Sequence, residues 1–152
     1  GWRGGLGWVG GEGDAAWRAR LEATGAGVAA MVGRCLEEPG VRALLERPEG
    51  RFTLWREQAF DYVAGGELVS GVFDRVVLHH GKDGVVERVQ LIDFKTDAVA
   101  DAGEAAERLP ERHGEQMGVY REALSRLTGV PAEEVETWLI AVAVPAAVKC
   151  PH

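Results

Sequence analysis

The sequence predicts an α/β fold in which helices flank a mixed central sheet that contains an antiparallel three-stranded meander. Three strand-like runs lie between residues 52 and 95, and tight-turn dipeptides separate them. Segments with helical spacing of apolar residues precede and follow these runs, and an apolar strand at residues 135–144 comes last. This order favours helices packed on the faces of one sheet. With 152 residues, 46% of them apolar, the chain is long enough for one domain with a core.

Residues 1–14 are rich in glycine, which predicts an irregular lead-in or linker. From Asp14, a candidate N-cap, to Glu38, apolar residues recur at three- and four-residue spacings and predict helix. Pro39-Gly40 ends this pattern, and residues 41–46 predict a further short helix. We expect residues 15–152 to form a single domain. Because the chain begins without Met, we expect it to be a piece of a longer protein.

The meander consists of residues 52–63, 68–79 and 85–95. Gly65-Gly66 separates the first two runs and Asp83-Gly84 the last two, and both dipeptides are favoured in two-residue hairpin turns. In such a hairpin the numbers of two opposing residues have a constant sum, here 131 for the first turn and 167 for the second. A β-bulge in either hairpin would shift these sums.

This register predicts a cluster of acidic residues. Glu57 lies opposite Asp74, and Asp74 lies opposite Asp93, with neighbouring Cβ atoms ~5 Å apart. Lys95 follows one row further on, on the same face as Asp93, because side chains alternate along a strand. Opposed carboxylates destabilise a sheet, and burial of an unpaired charge costs roughly several kcal/mol. The cluster therefore predicts a site that holds a divalent metal and a phosphate.

These residue types fit metal-assisted hydrolysis of a phosphodiester. Mg²⁺ prefers oxygen ligands, which Asp74, Asp93 and the Phe94 carbonyl can supply. A metal held there polarises a phosphodiester and lowers the pKa of a bound water. Lys95 can orient that water or offset charge on the phosphate. The sequence contains no nucleophile elbow, Walker loop or paired metal-binding histidines, and we assign no metal role to its four histidines.

Beyond the meander, the pattern predicts an acidic helical stretch over residues 97–111, interrupted by Pro110. A second helix runs from about Arg112 to Thr128 and is followed by Gly129 and Pro131. Gln116 and Tyr120 lie four residues apart, so they share one face of this helix.

Composition excludes several classes of protein. Two cysteines without C-x-x-C spacing are too few for a zinc or iron–sulfur cage. The sequence has no signal leader and no apolar run of 18 residues, so we expect a cytoplasmic protein without a membrane span. The net charge of −7 is unlike that of a free-standing nucleic-acid binder. If DNA is the substrate, cations or a basic neighbouring domain must bring it in.

A set of motifs resembles the nuclease signature of the PD-(D/E)XK superfamily. In order, they are Gly71-Val72-Phe73-Asp74, then Asp93-Phe94-Lys95-Thr96-Asp97 after eighteen residues, then Gln116-Met117-Gly118-Val119-Tyr120. The pattern is similar to the C-terminal nuclease domain of RecB and AddA helicase-nucleases, which process DNA ends for recombinational repair. The resemblance covers about residues 26–145.

The resemblance implies a restriction-endonuclease-like core and a Mg²⁺-dependent deoxyribonuclease, for which Mn²⁺ can substitute. By position it makes Asp74 and Asp93 metal ligands and Lys95 the catalytic lysine, with Glu57 as a further candidate ligand. Substrate-binding positions follow from the same match: Thr96, Gln116, Tyr120. The implied partners are DNA in single-stranded form, a helicase domain in the same polypeptide and a second nuclease/helicase subunit.

Two features leave alternatives open. The family often has a metal-side histidine on its first helix, and Gly33 stands at that place; the four-cysteine iron–sulfur setting of some relatives is also absent. A catalytically silent nuclease-fold module that binds DNA or acts as a scaffold is therefore the second hypothesis. Asp93 and Lys95 could also form a surface ion pair worth only ~0–1 kcal/mol, and Asp74 could pair with Arg75 or Arg88.

Overall fold

A computed structural model describes residue 30 and residues 33–152 of the chain. The predicted lead-in and most of the predicted first helix lie outside these residues. Residues 33–37 are helical, and a first complete helix, α1 (Pro39–Leu45), follows. The Glu38 side chain caps α1 by accepting a hydrogen bond from the Val41 N–H at 2.6 Å. Proline stands in the first turn, where its missing N–H is no loss.

The predicted meander is present. It consists of β1 (Phe52–Ala64), β2 (Glu67–His80) and β3 (Val86–Lys95), paired antiparallel. The sum of 131 holds along β1 and β2, for example at Trp55 and Val76. Gly65 and Gly66 both have positive φ, as the hairpin turn between these strands requires.

Opposing residues of β2 and β3 also have the predicted sum of 167 from Arg75 to His79, although the turn that joins these strands differs from the predicted one. The turn is wider than two residues, because the Gly81 N–H bonds the Val85 carbonyl and the Gly84 N–H bonds the Gly81 carbonyl. Next to this turn His80 pairs with Val86, and a bulge between His79 and His80 then restores the predicted register. The predicted register of β2 with β3 is therefore right from Arg75 to His79, whereas the predicted two-residue turn is wrong.

The second half of the chain differs from the prediction in two places. One unbroken helix, α2 (Ala102–Thr128), passes through Pro110, so the predicted interruption is wrong. A proline inside a helix costs ~3 kcal/mol, and burial of Leu109 and Met117 on the same helix offsets that cost. The predicted last strand, residues 135–144, ends early as β4 (Glu136–Ala141), because the chain turns over residues 142–145. A strand that was not predicted, β5 (Ala146–Lys149), follows the turn.

The sheet has the order β1-β2-β3-β4-β5, with β3 and β4 parallel and the other neighbours antiparallel. Helix α2 connects the two parallel strands and packs its apolar residues on one face, in the larger of two core clusters. A smaller cluster on the other face joins Val41 and Leu44 of α1 to Ile92 and Ile140 of the sheet. A mixed sheet with helices on both faces confirms the predicted fold class. No helix among the described residues is both long enough and apolar enough to cross a membrane.

Candidate functional site

The candidate site lies where β2 and β3 separate. Their pairing ends at Arg75 and Ile92, whereas β3 continues beside β4 as far as Lys95 and β2 continues beside β1. The Phe94 N–H, which faces the gap, donates a hydrogen bond of 2.9 Å to Oδ2 of Asp74. At this fork, the point where β2 and β3 separate, the Asp74 carboxylate therefore accepts a backbone hydrogen bond that a carbonyl of a neighbouring strand would otherwise accept. Asp93, one residue before, lies at the same point of β3.

In the hairpin of β1 and β2, the alternation of side chains between core and solvent is interrupted near Asp74. Val76 of β2 belongs to the core under α2, and so does Phe73, three residues earlier, although strict alternation would put them on opposite faces. Glu57, opposite Asp74, has a φ of 47°, a backbone conformation that few side chains adopt. The predicted register is preserved while the alternation of faces is broken at the two acidic positions.

Asp93 and Lys95 form a buried ion pair. Asp93 is 0% exposed and Lys95 is 5% exposed, and Oδ2 of Asp93 lies 2.6 Å from Nζ of Lys95. Neither carboxylate oxygen of Asp93 has a hydrogen-bond partner of acceptable geometry in the part of the chain that the structure describes. Because ion pairing needs proximity rather than a particular angle, the Lys95 ammonium still compensates the charge at Oδ2. Oδ1 is a buried acceptor without a donor among the described residues, which is costly unless a cation or ligand compensates it.

Helix α2 holds the lysine in place. Nζ of Lys95 donates to Oε1 of Gln116 at 2.8 Å, and Nε2 of Gln116 donates to the hydroxyl of Tyr120 at 3.0 Å. Because an ammonium only donates, the Gln116 oxygen must face Lys95. Gln116 is 6% exposed and Tyr120 is fully buried. The structure therefore brings four of the predicted site residues into contact: Asp93, Lys95, Gln116, Tyr120.

Tyr120 is fixed by an aromatic cluster at the fork. Its ring meets Phe60 and Phe73 edge to face, with centroids 5.4 and 5.5 Å apart. Gly71 lies beneath this cluster, and a Cβ there would come within 2.8 Å of Cζ of Phe60. The glycine of the predicted motif is thus required by the close approach of the rings to the strand.

Sequence reasoning missed one pair beside the site. Nε2 of His113, three residues before Gln116 on α2, lies 2.8 Å from Oδ1 of Asp97, and Arg112 binds the other oxygen at 3.0 Å. Burial and the nearby Lys95 charge lower the pKa of His113, against the opposing effect of Asp97. For Asp97 burial alone raises the pKa, but hydrogen bonds from both partners lower it overall. The three-residue spacing of His113 and Gln116 indicates that His113 lies on the side of α2 that faces the site, but it does not indicate the contact with Asp97.

Two further predicted site residues lie on β1 and directly after β3. Glu57 is exposed on β1, and Thr96 is half-buried directly after β3. Gly33 is exposed in the helical segment 33–37, and a Cβ added there meets nothing within 4 Å. Within the described ranges, no three side chains of His, Cys, Asp or Glu group closely enough to hold a metal. Among the described residues, the acceptors that fit a divalent ion are the carboxylates of Asp74 and Asp93. The Asp93 oxygen that lacks a hydrogen-bond donor among these residues is the clearest indication of a cation site.

Comparison with known proteins identifies the family of the chain. A profile of the PD-(D/E)XK nuclease superfamily matches residues 11–149. The chain belongs to this superfamily. Nucleases of the superfamily generally use divalent metal ions.

The superfamily match is accompanied by similarity to subunits of helicase-nucleases. An ATP-dependent helicase/nuclease subunit from Desulfitobacterium hafniense (strain DSM 10664 / DCB-2) is 39% identical over 67 residues, 44% of this chain and 4% of that protein. The protein of the same name from Limosilactobacillus fermentum is 31% identical over 74 residues, 47% of this chain and 5% of that protein. The chain therefore spans a small part of the length of these relatives, and the similarity supports a nuclease domain of the helicase-nuclease type.

Proposed function

We propose that this chain is a Mg²⁺-dependent deoxyribonuclease domain of a helicase-nuclease, in which Asp74 and Asp93 hold the metal. The buried carboxylate of Asp93, with one oxygen that lacks a donor among the described residues, carries the proposal. A protein domain tolerates a buried carboxylate where a cation binds it and compensates its charge. The Phe94 carbonyl, next in the chain, is the further oxygen ligand that we assign.

When bound, the metal polarises the phosphodiester and makes a water more acidic. Lys95 places its positive charge beside the oxygens that gain negative charge during hydrolysis, and its charge is already oriented by Asp93 and Gln116. Since these contacts exist before substrate binds, little reorganisation is needed during the reaction. Gln116 and Tyr120 act through Lys95, as positioning residues.

The proposed setting is an exonuclease that acts in the processing of DNA ends and recombinational repair. Its substrate is a single strand delivered by a helicase domain of the same polypeptide, and a second helicase-nuclease subunit is the further partner. The relatives named above, which are helicase/nuclease subunits, support this setting. The net charge of −7 agrees with it, because such a domain relies on neighbours to bring in the DNA.

A second candidate function is a nuclease-fold module that binds DNA without cleaving it. Two observations favour it: no group of three metal-binding side chains occurs among residues 33–152, and Gly33 stands where the family often has a histidine. A cleavage assay separates the two candidates. End-labelled single- and double-stranded DNA is incubated with Mg²⁺ or Mn²⁺ and the native chain or Asp93→Ala.

The nuclease proposal predicts metal-dependent cleavage by the native chain and a loss of at least about a hundredfold in the variant. Equal cleavage by both proteins indicates contamination and contradicts the proposal. Absence of cleavage by both, with retained DNA binding, supports the silent module.

A further inference from the structure

Arg75 of β2 is a buried arginine without a counter-charge among the described residues. It is 8% exposed and pairs with Ile92, whose side chain belongs to the smaller core cluster beneath α1. Because paired residues of antiparallel strands point to the same face, the guanidinium lies on the α1 side of the sheet. It forms no ion pair with a described carboxylate. Burial of such a charge is costly unless another group compensates it.

The hydrogen bonds of Arg75 leave most of its donors unused. Nη2 donates to the Leu45 carbonyl at 3.5 Å, which is longer than the usual ~2.9–3.0 Å. Nε is fully buried and has no acceptor among the described residues. Nη1 has none there either, but it is not fully buried and can be reached from solvent. Within the described part of the chain, one of the five N–H groups of this arginine therefore has an acceptor.

A second buried arginine shows how a guanidinium is satisfied in this fold. Arg121 of α2 is 6% exposed, and its Nε donates to the Thr137 hydroxyl at 3.0 Å. Its Nη2 donates to the carbonyls of Cys150 and Pro151 at 3.0 and 2.8 Å. The described surroundings of Arg75 offer no comparable set of acceptors. Neither ion pairing nor backbone hydrogen bonding among the described residues therefore explains its burial.

The neighbouring strand adds a second positive charge. Arg56 of β1 lies directly opposite Arg75, so the two side chains share a face, with Cβ atoms ~4.5–5.5 Å apart. Arg56 is exposed, and it too forms no ion pair with a carboxylate of the described ranges. Burial, together with the charge of Arg56, lowers the pKa of Arg75. Like charges directly opposite each other destabilise a sheet, so this arrangement favours an anion between them.

We propose that Arg56 and Arg75 form a binding site for a phosphate group, either free or in a nucleic-acid backbone. Each planar guanidinium can donate two parallel hydrogen bonds to phosphate oxygens. A tetrahedral phosphate presents oxygens in several directions, so it can accept from two guanidinium groups on different strands. A planar carboxylate is occupied by a single bidentate guanidinium. Arg56 forms the exposed side of the site, and Arg75 forms its buried side.

This site is separate from the proposed metal site. Arg75 faces α1, whereas Lys95 contacts α2 on the other face of the sheet through Gln116. The inference therefore needs neither a metal nor cleavage of DNA. It remains testable if the nuclease proposal fails, and its own failure leaves that proposal unchanged.

The test measures anion binding in EDTA by thermal melting and isothermal titration calorimetry. The native chain is compared with Arg75→Met and Arg56→Met. Arg42→Met is the matched control, because Arg42 is an exposed arginine of α1 that pairs with Glu46. Millimolar phosphate is compared with chloride at equal ionic strength, since phosphate also stabilises proteins by exclusion from their surface. A short single-stranded oligonucleotide without terminal phosphates supplies phosphodiesters alone.

Phosphate at ten times its dissociation constant should raise the melting temperature of the native chain and the control by roughly 3–6 °C relative to chloride. Each site variant should bind phosphate at least about tenfold more weakly, because a charged hydrogen-bond donor is lost. In chloride, Arg75→Met should melt no lower than the native chain, since it removes a buried charge that the described residues do not compensate. If Arg75→Met does not fold, Arg56→Met decides the test, because it changes an exposed side chain.

Stabilisation by both ligands assigns the site to a nucleic-acid backbone, whereas stabilisation by phosphate alone assigns it to a free phosphate; either result supports the inference. Equal shifts in all four proteins would overturn it, because phosphate would then act on the whole surface. No response of the native chain to either ligand would also overturn it. Tighter binding of polyglutamate than of phosphate or oligonucleotide, lost in Arg56→Met, would contradict it too, because the arginines would then bind an acidic polypeptide.

Discussion

The buried pair of Asp93 and Lys95 makes a prediction that separates it from a surface ion pair. Lys95→Met leaves a carboxylate that is 0% exposed without the ammonium at 2.6 Å. Loss of one partner of a buried pair costs about 3–5 kcal/mol of unfolding free energy. Asp93→Asn strands the ammonium instead and should cost a similar amount. The double variant removes both charges and should lie within about 1–2 kcal/mol of the native chain.

Chemical denaturation in EDTA of the four proteins gives the coupling energy directly. We expect the two single losses to exceed the double loss by more than about 3 kcal/mol in total. The melting temperatures should follow, at roughly 2–4 °C per kcal/mol for a chain of this size. If the loss in the double variant equalled the sum of the two single losses to within about 0.5 kcal/mol, the reasoning would be refuted, because residues that do not interact behave in this way. Such a result would mean that solvent screens the pair.

Three further predictions concern the surroundings of this pair. Gly71→Ala should lose about 1–3 kcal/mol in chemical denaturation, because the added Cβ meets Phe60 at 2.8 Å; an unchanged midpoint would contradict this. Gln116→Met removes the acceptor of Lys95, and should lower kcat by at least about tenfold with little effect on KM; equal kinetics would show that Lys95 needs no support. His113 has a lowered pKa, so the unfolded chain binds its proton more readily, and native stability should fall as the pH drops through about 6.5. His113→Gln should flatten that decline in denaturation series from pH 7 to 5, and identical slopes would argue against the burial of a neutral imidazole.

Much of the fold followed from local signals. Gly65-Gly66 marked a hairpin whose register is as predicted, and the predicted register of β2 with β3 holds as far as Arg75 and Ile92, the residues next to Asp74 and Asp93. The fork itself was not predictable, because it depends on where β3 leaves one neighbour for another. Strict alternation also failed near Glu57, whose backbone adopts a positive φ that a strand pattern does not indicate.

Other misses have tertiary causes. A proline inside a helical pattern usually ends or kinks the helix. Helix α2 nevertheless continues past Pro110, because its packing on the sheet stabilises it. Strand β5 was hidden because the apolar run of β4 continues into the turn at residues 142–145. Asp97 was predicted as part of an acidic helical stretch, but α2 brings Arg112 and His113 to it from fifteen and sixteen residues away. Sequence spacing over such a distance contains no information on contact until the helix position is known.

Metal-dependent thermal melting tests most directly whether Asp74 and Asp93 hold a divalent ion. Mn²⁺ at a hundred times its dissociation constant should stabilise the native chain by about 2.7 kcal/mol, or roughly 5–10 °C. Asp74→Asn is the matched variant, because the amide oxygen can still accept the Phe94 N–H while the charge is lost. The account predicts a large shift for the native chain and little or none for the variant. The same shift in both proteins would place the ion elsewhere and contradict the assignment of the site.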